Sequence, residues 1–215
     1  AITTRRIRVA NMRLIRRATT LLMASTSVQA STPAYDVIVY GASGFTGRLA
    51  VEYLTDRYAT SGLKWAIAGR SRERLEALEA SVPIIVADAT DAASVDAMVA
   101  QTKVLLNYAG SPYITKALPV VEACARHGTH YVDVTGEVAL HRASLSKYDA
   151  KAKETGALIV HSCGYDSIPS DLGYLLASDA YQERYNAQPE RARLLTRGFE
   201  GGGISGGTIY TGLAL

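Results

Sequence analysis

The chain of 215 residues is 48% apolar and 20% charged, which excludes a disordered or fibrous protein and fits an ordinary globular one. Its net charge of +3 is local: residues 1–35 hold six arginines and no acid, leaving 17 bases against 20 acids in the rest. A mildly acidic body offers no electrostatic case for nucleic acid as a partner. The two cysteines, Cys124 and Cys163, form no Cys-x-x-Cys and indicate neither a disulfide framework nor a metal site, so both read as buried structural thiols.

Residues 1–33 are rich in Arg, Ser and Thr and free of acids, the composition of a mitochondrial transit peptide. Two rivals stand beside that reading. A secretory signal from Met12 is weakened by the two threonines between Ala18 and Ala24 and by the lack of an Asn-x-Ser/Thr acceptor. The other is a natural start at Met23. The expected location is the mitochondrion or the cytoplasm, not the secretory route. No run reaches the ~18 apolar residues of a membrane span.

Tyr35-Asp-Val-Ile-Val-Tyr40 reads as a strand buried on both faces, and it ends in Gly41, Gly44 and Gly47, spaced G-x-x-G-x-x-G. Gly41 suits a turn with φ > 0, Gly44 leaves no Cβ before a pyrophosphate, and Gly47 allows close packing of the next helix. A helix N-terminus there favours an anion. Gly41, Ser43, Gly44, Phe45, Thr46 and Gly47 are therefore the expected phosphate-binding stretch. The plain alternative is a strand–turn–helix that binds nothing; strand, glycines and helix together favour a dinucleotide.

A helix is expected from Arg48 to Tyr58, with Leu49, Ala50, Tyr53 and Leu54 on its inner face. Leu63–Ala68 reads as a second strand ending in Gly69-Arg70-Ser71. NAD-binding folds place an acid near this point to hold the ribose 2′-OH; a guanidinium and a hydroxyl suit a 2′-phosphate, which selects NADP(H) over NAD(H). Alternatively Arg70 is a solvated residue and Ser71 caps the next helix. That helix is marked by Leu75, Leu78 and Val82, and Pro83 opens a third strand ending at Asp88. Asp88 either meets the adenine edge or caps a turn.

Asp91 is expected to cap a helix burying Val95, Met98 and Val99. A fourth strand, Val104–Leu106, opens into Asn107-Tyr108-Ala109-Gly110, the expected nicotinamide platform. A helix with Ile114, Leu118, Val121 and Ala125 inside stops at Gly128, and His130–Val134 is a fifth strand. A polar helix to Gly156 precedes a sixth strand, Ala157–Val160. Strands alternating with helices at this period give an α/β fold with a Rossmann-type doubly wound parallel sheet. Pro169 starts a further helix, Gln182–Arg193 reads as a charged linker, and Arg193–Phe199 as a strand. The expected domains are a leader over 1–33, a dinucleotide-binding domain over 34–185, and the start of a truncated α+β second domain over 186–215.

Tyr165 and Asp166, at the carboxyl end of the sixth strand, are the candidate catalytic residues; alternatively they form the turn into the helix, with Asp166 or Ser167 capping. Glu137 is a weaker candidate. His127 and His161 stand without a spacing partner and read as structural. A short-chain dehydrogenase would pair a Tyr with a Lys four positions later. Tyr148 is followed at that distance by Ala152, so the pair fails.

The segments Val39–Gly47, Ala68–Arg70, Leu106–Gly110, Tyr131–Glu137, Gly164–Gly173 and Gly203–Thr208 together resemble the saccharopine dehydrogenase-like oxidoreductase family, which includes trans-acting enoyl reductases of lipid biosynthesis. The likeness runs from about Tyr35 to the end. One stretch departs: where the family usually has Pro-Phe and then Tyr-Gly, this chain reads Ser111-Pro-Tyr-Ile-Thr-Lys116-Ala. The resemblance implies an NADP-linked reductase passing hydride to a lipid-like enoyl or an imine-type substrate. It also implies a longer protein with a substrate or homodimer domain. Association with membranes or lipid droplets, and a nucleotide-binding scaffold without turnover, are the other expectations it carries.

Overall fold

A computed structural model describes residues 32–110, 112–195 and position 209. Six strands form one sheet: β1 (Tyr35–Tyr40), β2 (Trp65–Gly69), β3 (Ile84–Val86), β4 (Thr102–Asn107), β5 (His130–Asp133) and β6 (Ile159–Val160). Their order is β3-β2-β1-β4-β5-β6 and every pairing is parallel, with Val39 beside Ile67 on one side and Leu106 on the other. This is the doubly wound Rossmann order, and its topological switch point lies between β1 and β4.

Alternation along the strands separates two cores. Ile38, Tyr40, Ala66 and Ala68 face one side, packing with Val95, Met98 and Val99 of α3 (Ala92–Val99) and Val120, Val121 and Cys124 of α4 (Tyr113–His127). Val39, Trp65 and Ile67 face the other, against Val51 and Leu54 of α1 (Phe45–Tyr58) and Leu75 of α2 (Arg72–Glu76). The period of two thus puts a helix layer on each face of the sheet. Asp91 caps α3 by accepting the N–H of Ala93 (3.1 Å).

Three helices differ from the sequence expectation. Helix α1 starts at Phe45 and buries Gly47, Val51 and Leu54, leaving Leu49 and Tyr53 exposed. The reason is Gly47: its bare side lies against the Gly41 carbonyl, which turns residues 51 and 54 inward and carries 49 and 53 away. Helix α2 ends at Glu76, and Leu78 and Val82 reach the core from the irregular segment that follows, where Glu79 takes φ +52°. Helix α6 (Ile168–Tyr185) runs four residues into the expected linker and stops at Asn186, a left-handed cap at φ +52°. Asn is among the few residues that tolerate that conformation. Among the described residues of α6 only Ser178 is buried, while Leu172, Tyr174, Leu175 and Leu176 are exposed.

Helix α5 (Val138–Thr155) ends at Gly156 as expected. Of the strand expected over Arg193–Phe199, residues 193–195 carry no regular structure and the rest lies outside the described residues. So do residues 1–31, Ser111 and the Gly203–Thr208 segment. No described helix is long and apolar enough to cross a membrane.

Candidate functional site

The end of β1 approaches the end of β4 at backbone distance. Gly41 sits at φ +82°, and a Cβ there would lie 2.5 Å from the Ala109 nitrogen. A Cβ on Gly47 would lie 2.2 Å from the Gly41 oxygen, so β1 and α1 touch through the absence of side chains. Gly44 differs: a Cβ on it would meet only the Gly41 oxygen, at 3.2 Å. Beyond that contact the space in front of Gly44 is open. Gly44 is also the N-cap of α1, and no side chain caps that helix. The first-turn N–H groups of Phe45, Thr46 and Gly47 are those a helix leaves without internal partners, and they suit an anion. Ser43 lends its carbonyl to Arg48 Nε at 3.2 Å.

Next to this loop a cavity of about 250 Å³ opens at the switch point. Gly41, Gly44, Arg70, Asp88, Tyr108, Ala109 and Gly110 line it, bringing together strand ends far apart in the chain. Tyr40, Gly69, Ala89, Thr90 and Lys116 also line it and were not anticipated. Its volume is below the roughly 300–1,000 Å³ of a complete small-molecule site and suits one half of a dinucleotide. Ser43, Phe45, Thr46 and Gly47 stand outside it, along the glycine turn and first turn of α1.

Arg70 is exposed at the cavity rim. Ser71, outside the cavity, caps α2 by accepting the Arg74 N–H at 3.3 Å. Asp88 accepts from Thr90 N (2.9 Å) and Thr90 Oγ1 (2.8 Å), so the turn-capping alternative is realised. Those two hydrogen bonds hold its carboxyl below the usual carboxylate range, and the charges of Arg70 and Lys116 add to the effect. Burial, then the charge of Asp88, pushes the Tyr40 hydroxyl up to about 12. Tyr40 therefore remains a neutral hydroxyl at the cavity wall. Burial also raises half-buried Tyr108, whose N–H donates to the Tyr40 carbonyl at 2.8 Å. Ala109 N donates to Asn107 Oδ1 (2.9 Å), fixing the turn.

A second polar cluster lies at the ends of β5 and β6. Asn107 Nδ2 donates to Tyr131 OH (2.9 Å), and Tyr131 OH donates to Asp133 Oδ2 (2.9 Å). His161 Nδ1 lies 2.6 Å from the same oxygen, while Thr135 N and Ser162 N donate to Asp133 Oδ1. The Asp133 side chain is wholly buried. His141 stacks on His161 with centroids 5.1 Å apart. His161 thus has the partner that its sequence spacing hid. Ser162 is held at φ +59° and donates to Thr135 O at 2.6 Å. Its single proton is then committed, so His141 Nε2, 2.9 Å away, donates to Ser162 Oγ and does not activate it as a base would. His127 pairs with Asp96 at the surface.

Glu137 is buried and accepts Tyr113 N (2.7 Å) and Ile114 N (2.8 Å), one on each carboxylate oxygen. It caps α4 from across the fold, a structural use of a residue considered for catalysis. Tyr165 is 66% exposed, and neither it nor Asp166 lines the cavity. The turn holding them closes through Ser167 N and Ile168 N, both donating to Gly164 O, with no side-chain cap on α6. Tyr148 donates to Glu122 (3.2 Å), away from the cavity, consistent with the failed Tyr/Lys spacing. Cys124 is fully buried, which drives its thiol well above the ordinary range; Cys163 is only partly buried, against expectation, because it stands at the open end of β6.

The family model of the saccharopine dehydrogenase NADP-binding domain matches residues 37–160. A Mycobacterium tuberculosis protein provisionally named a trans-acting enoyl reductase is 42% identical over 182 residues, covering 81% of this chain and 42% of that protein. A trans-acting enoyl reductase of Mycobacterium bovis is 39% identical over 184 residues, 82% of this chain and 43% of the relative. The chain spans less than half the length of these relatives. Among solved structures, apo saccharopine dehydrogenase (L-Glu forming) from Saccharomyces cerevisiae has a TM-score of 0.53 at 22% identity, covering 71% of this chain and 32% of that one. That likeness establishes the shared fold.

Proposed function

The chain belongs to the saccharopine dehydrogenase NADP-binding-domain family, and from that premise we propose that the whole protein is an NADPH-dependent oxidoreductase reducing the carbon–carbon double bond of a lipid-like enoyl substrate. One observation carries the cofactor half: bare glycine backbone and an uncapped helix N-terminus adjoin a cavity with Arg70 at its rim. The names of the mycobacterial relatives support the enoyl half. NADPH supplies the hydride when bound. The chain's own share is positioning: Gly44 and the α1 N-terminus take the pyrophosphate and Arg70 the 2′-phosphate, while Tyr108–Gly110, expected to carry the nicotinamide, wall the adenosine side instead because they share a cavity with Arg70 and Asp88.

Saturable NADPH binding followed by ligand fluorescence tests the cofactor. Arg70→Asp is expected to weaken NADPH by about a hundredfold and NADH by less than about threefold, since it replaces a phosphate-pairing cation with an anion. Equal losses for both nucleotides would sink the 2′-phosphate assignment. NADPH consumption by the full-length protein with 2-enoyl thioesters tests the reaction. Tight binding with no turnover across an acyl panel would make the protein a nucleotide-binding scaffold instead. Residues 1–33 as a leader and 186–215 as the start of a substrate domain belong to the same proposal. The mature N-terminus of the cellular protein decides the first.

A further inference from the structure

Lys116 lies in the first turn of α4 and lines the nucleotide cavity. Arg70 comes to the same cavity from the opposite side: it follows β2, Lys116 follows β4, and these strands flank β1 left and right. Gly110, at φ +116°, lies flat against the base of the lysine; a Cβ there would stand 3.0 Å from Lys116 Cβ. The loop after β4 therefore fixes where the lysine leaves its helix.

Among the described residues neither the Arg70 nor the Lys116 side chain has a hydrogen bond or an ion pair within contact distance. Asp88, whose carboxylate feels both charges, is itself tied to Thr90. Two uncommitted cations lining one cavity call for a ligand group with more than one negative charge. The pyrophosphate is provided for elsewhere, by the N–H groups of α1. A ribose 2′-phosphate, a near-dianion with three acceptor oxygens, matches two cations.

We propose that Lys116 is a second cation for the 2′-phosphate of NADPH and that, together with Arg70, it sets the preference for NADPH over NADH. The inference rests on the cofactor reading above. Asp88 limits the effect, because its carboxylate stands beside the position of the incoming phosphate.

The test is titration of the full-length protein with NADPH and with NADH, for Lys116→Ala, Arg70→Ala, the double variant and Asp88→Asn. Lys116 and Arg70 are both exposed, so these two substitutions leave the fold intact, which thermal unfolding checks. Lys116→Ala is expected to weaken NADPH by about tenfold and NADH by less than about twofold, with the double variant down about a hundredfold. Asp88→Asn is expected to tighten NADPH a few-fold relative to NADH. Equal loss of both nucleotides on Lys116→Ala would assign the lysine to the pyrophosphate or adenine and overturn the proposal, as would no change in either. Wild-type protein with no saturable NADPH binding would overturn the cofactor reading itself, a distinct result.

Discussion

Around β1 the carboxyl edge of the sheet is shaped by missing side chains; around β5 and β6 it is shaped by buried polar ones. At Gly41 and Gly47 a single added carbon would sit 2.5 Å or less from a backbone atom. At Asp133 one wholly buried carboxylate organises Tyr131, Thr135, His161 and Ser162. The first surface is open and ready for an anion, since backbone N–H groups and dipoles bind without needing a counter-charge. The second has spent most of its polar groups on one another, which makes it rigid. A surface open to a ligand and a structural one thus share one sheet edge, divided near Asn107, whose side chain contacts both.

Substitutions on the two sides should fail in different ways. Gly47→Ala is expected to cost about 4 kcal/mol or more in urea unfolding, because the Gly41 carbonyl cannot retreat without moving β1. Gly44→Ala is its control: the added carbon would meet the same carbonyl only at 3.2 Å, a contact relieved by a shift of a few tenths of an ångström, so the stability loss is expected to stay near about 1 kcal/mol while NADPH binding is lost. A Gly44 variant as unstable as the Gly47 one would break the distinction between packing and binding glycines. Asp133→Ala should cost about 3 kcal/mol, by stranding the donors that now converge on its carboxylate. If it unfolds no earlier than wild type, the second surface is not held by its network. Glu137→Gln should cost about 1–2 kcal/mol, since the amide keeps one acceptor for the two N–H groups of α4 and turns a donor toward the other.

The smallest effect is a pH dependence. Burial, and then the neighbouring His161, lower the pKa of His141, with Asp133 partly opposing. The unfolded chain therefore takes up a proton at this site at higher pH than the folded one. Stability from this group is complete above the unfolded value of about 6.5 and falls as the pH drops below it. His141→Gln should flatten that part of the unfolding profile relative to wild type. A variant profile as steep as the parent's would place the titration elsewhere, with His130, also lowered by burial, the next group to replace.

Much of the fold was legible because its signals are local. Strand and helix periods, the Asp91 cap and the glycine triplet each lie within one stretch of chain and act on the backbone beside them. Where local signals competed, the expectation slipped. Gln182–Tyr185 looked like a linker by charge, yet these residues form helices readily and Asn186 was available as a left-handed stop. Leu49 and Tyr53 looked like core by hydrophobicity, yet the close contact at Gly47 set the rotation of α1. Tyr165 and Asp166 stand just past a strand end, while their exposure depends on a turn that only the assembled chain defines.

The sequence by itself determined the parallel α/β sheet, the glycine turn and an arginine in the place of the usual acid. Those features follow from backbone sterics and side-chain periodicity, which act over a few residues. Only the tertiary structure decided that Lys116 shares a cavity with Arg70, that Glu137 caps a helix 23 and 24 positions away, and that His161 meets Asp133 across 28. Such contacts depend on strand order and on which face each helix covers, and a charged group carries no mark in the sequence of the partner the fold will bring to it.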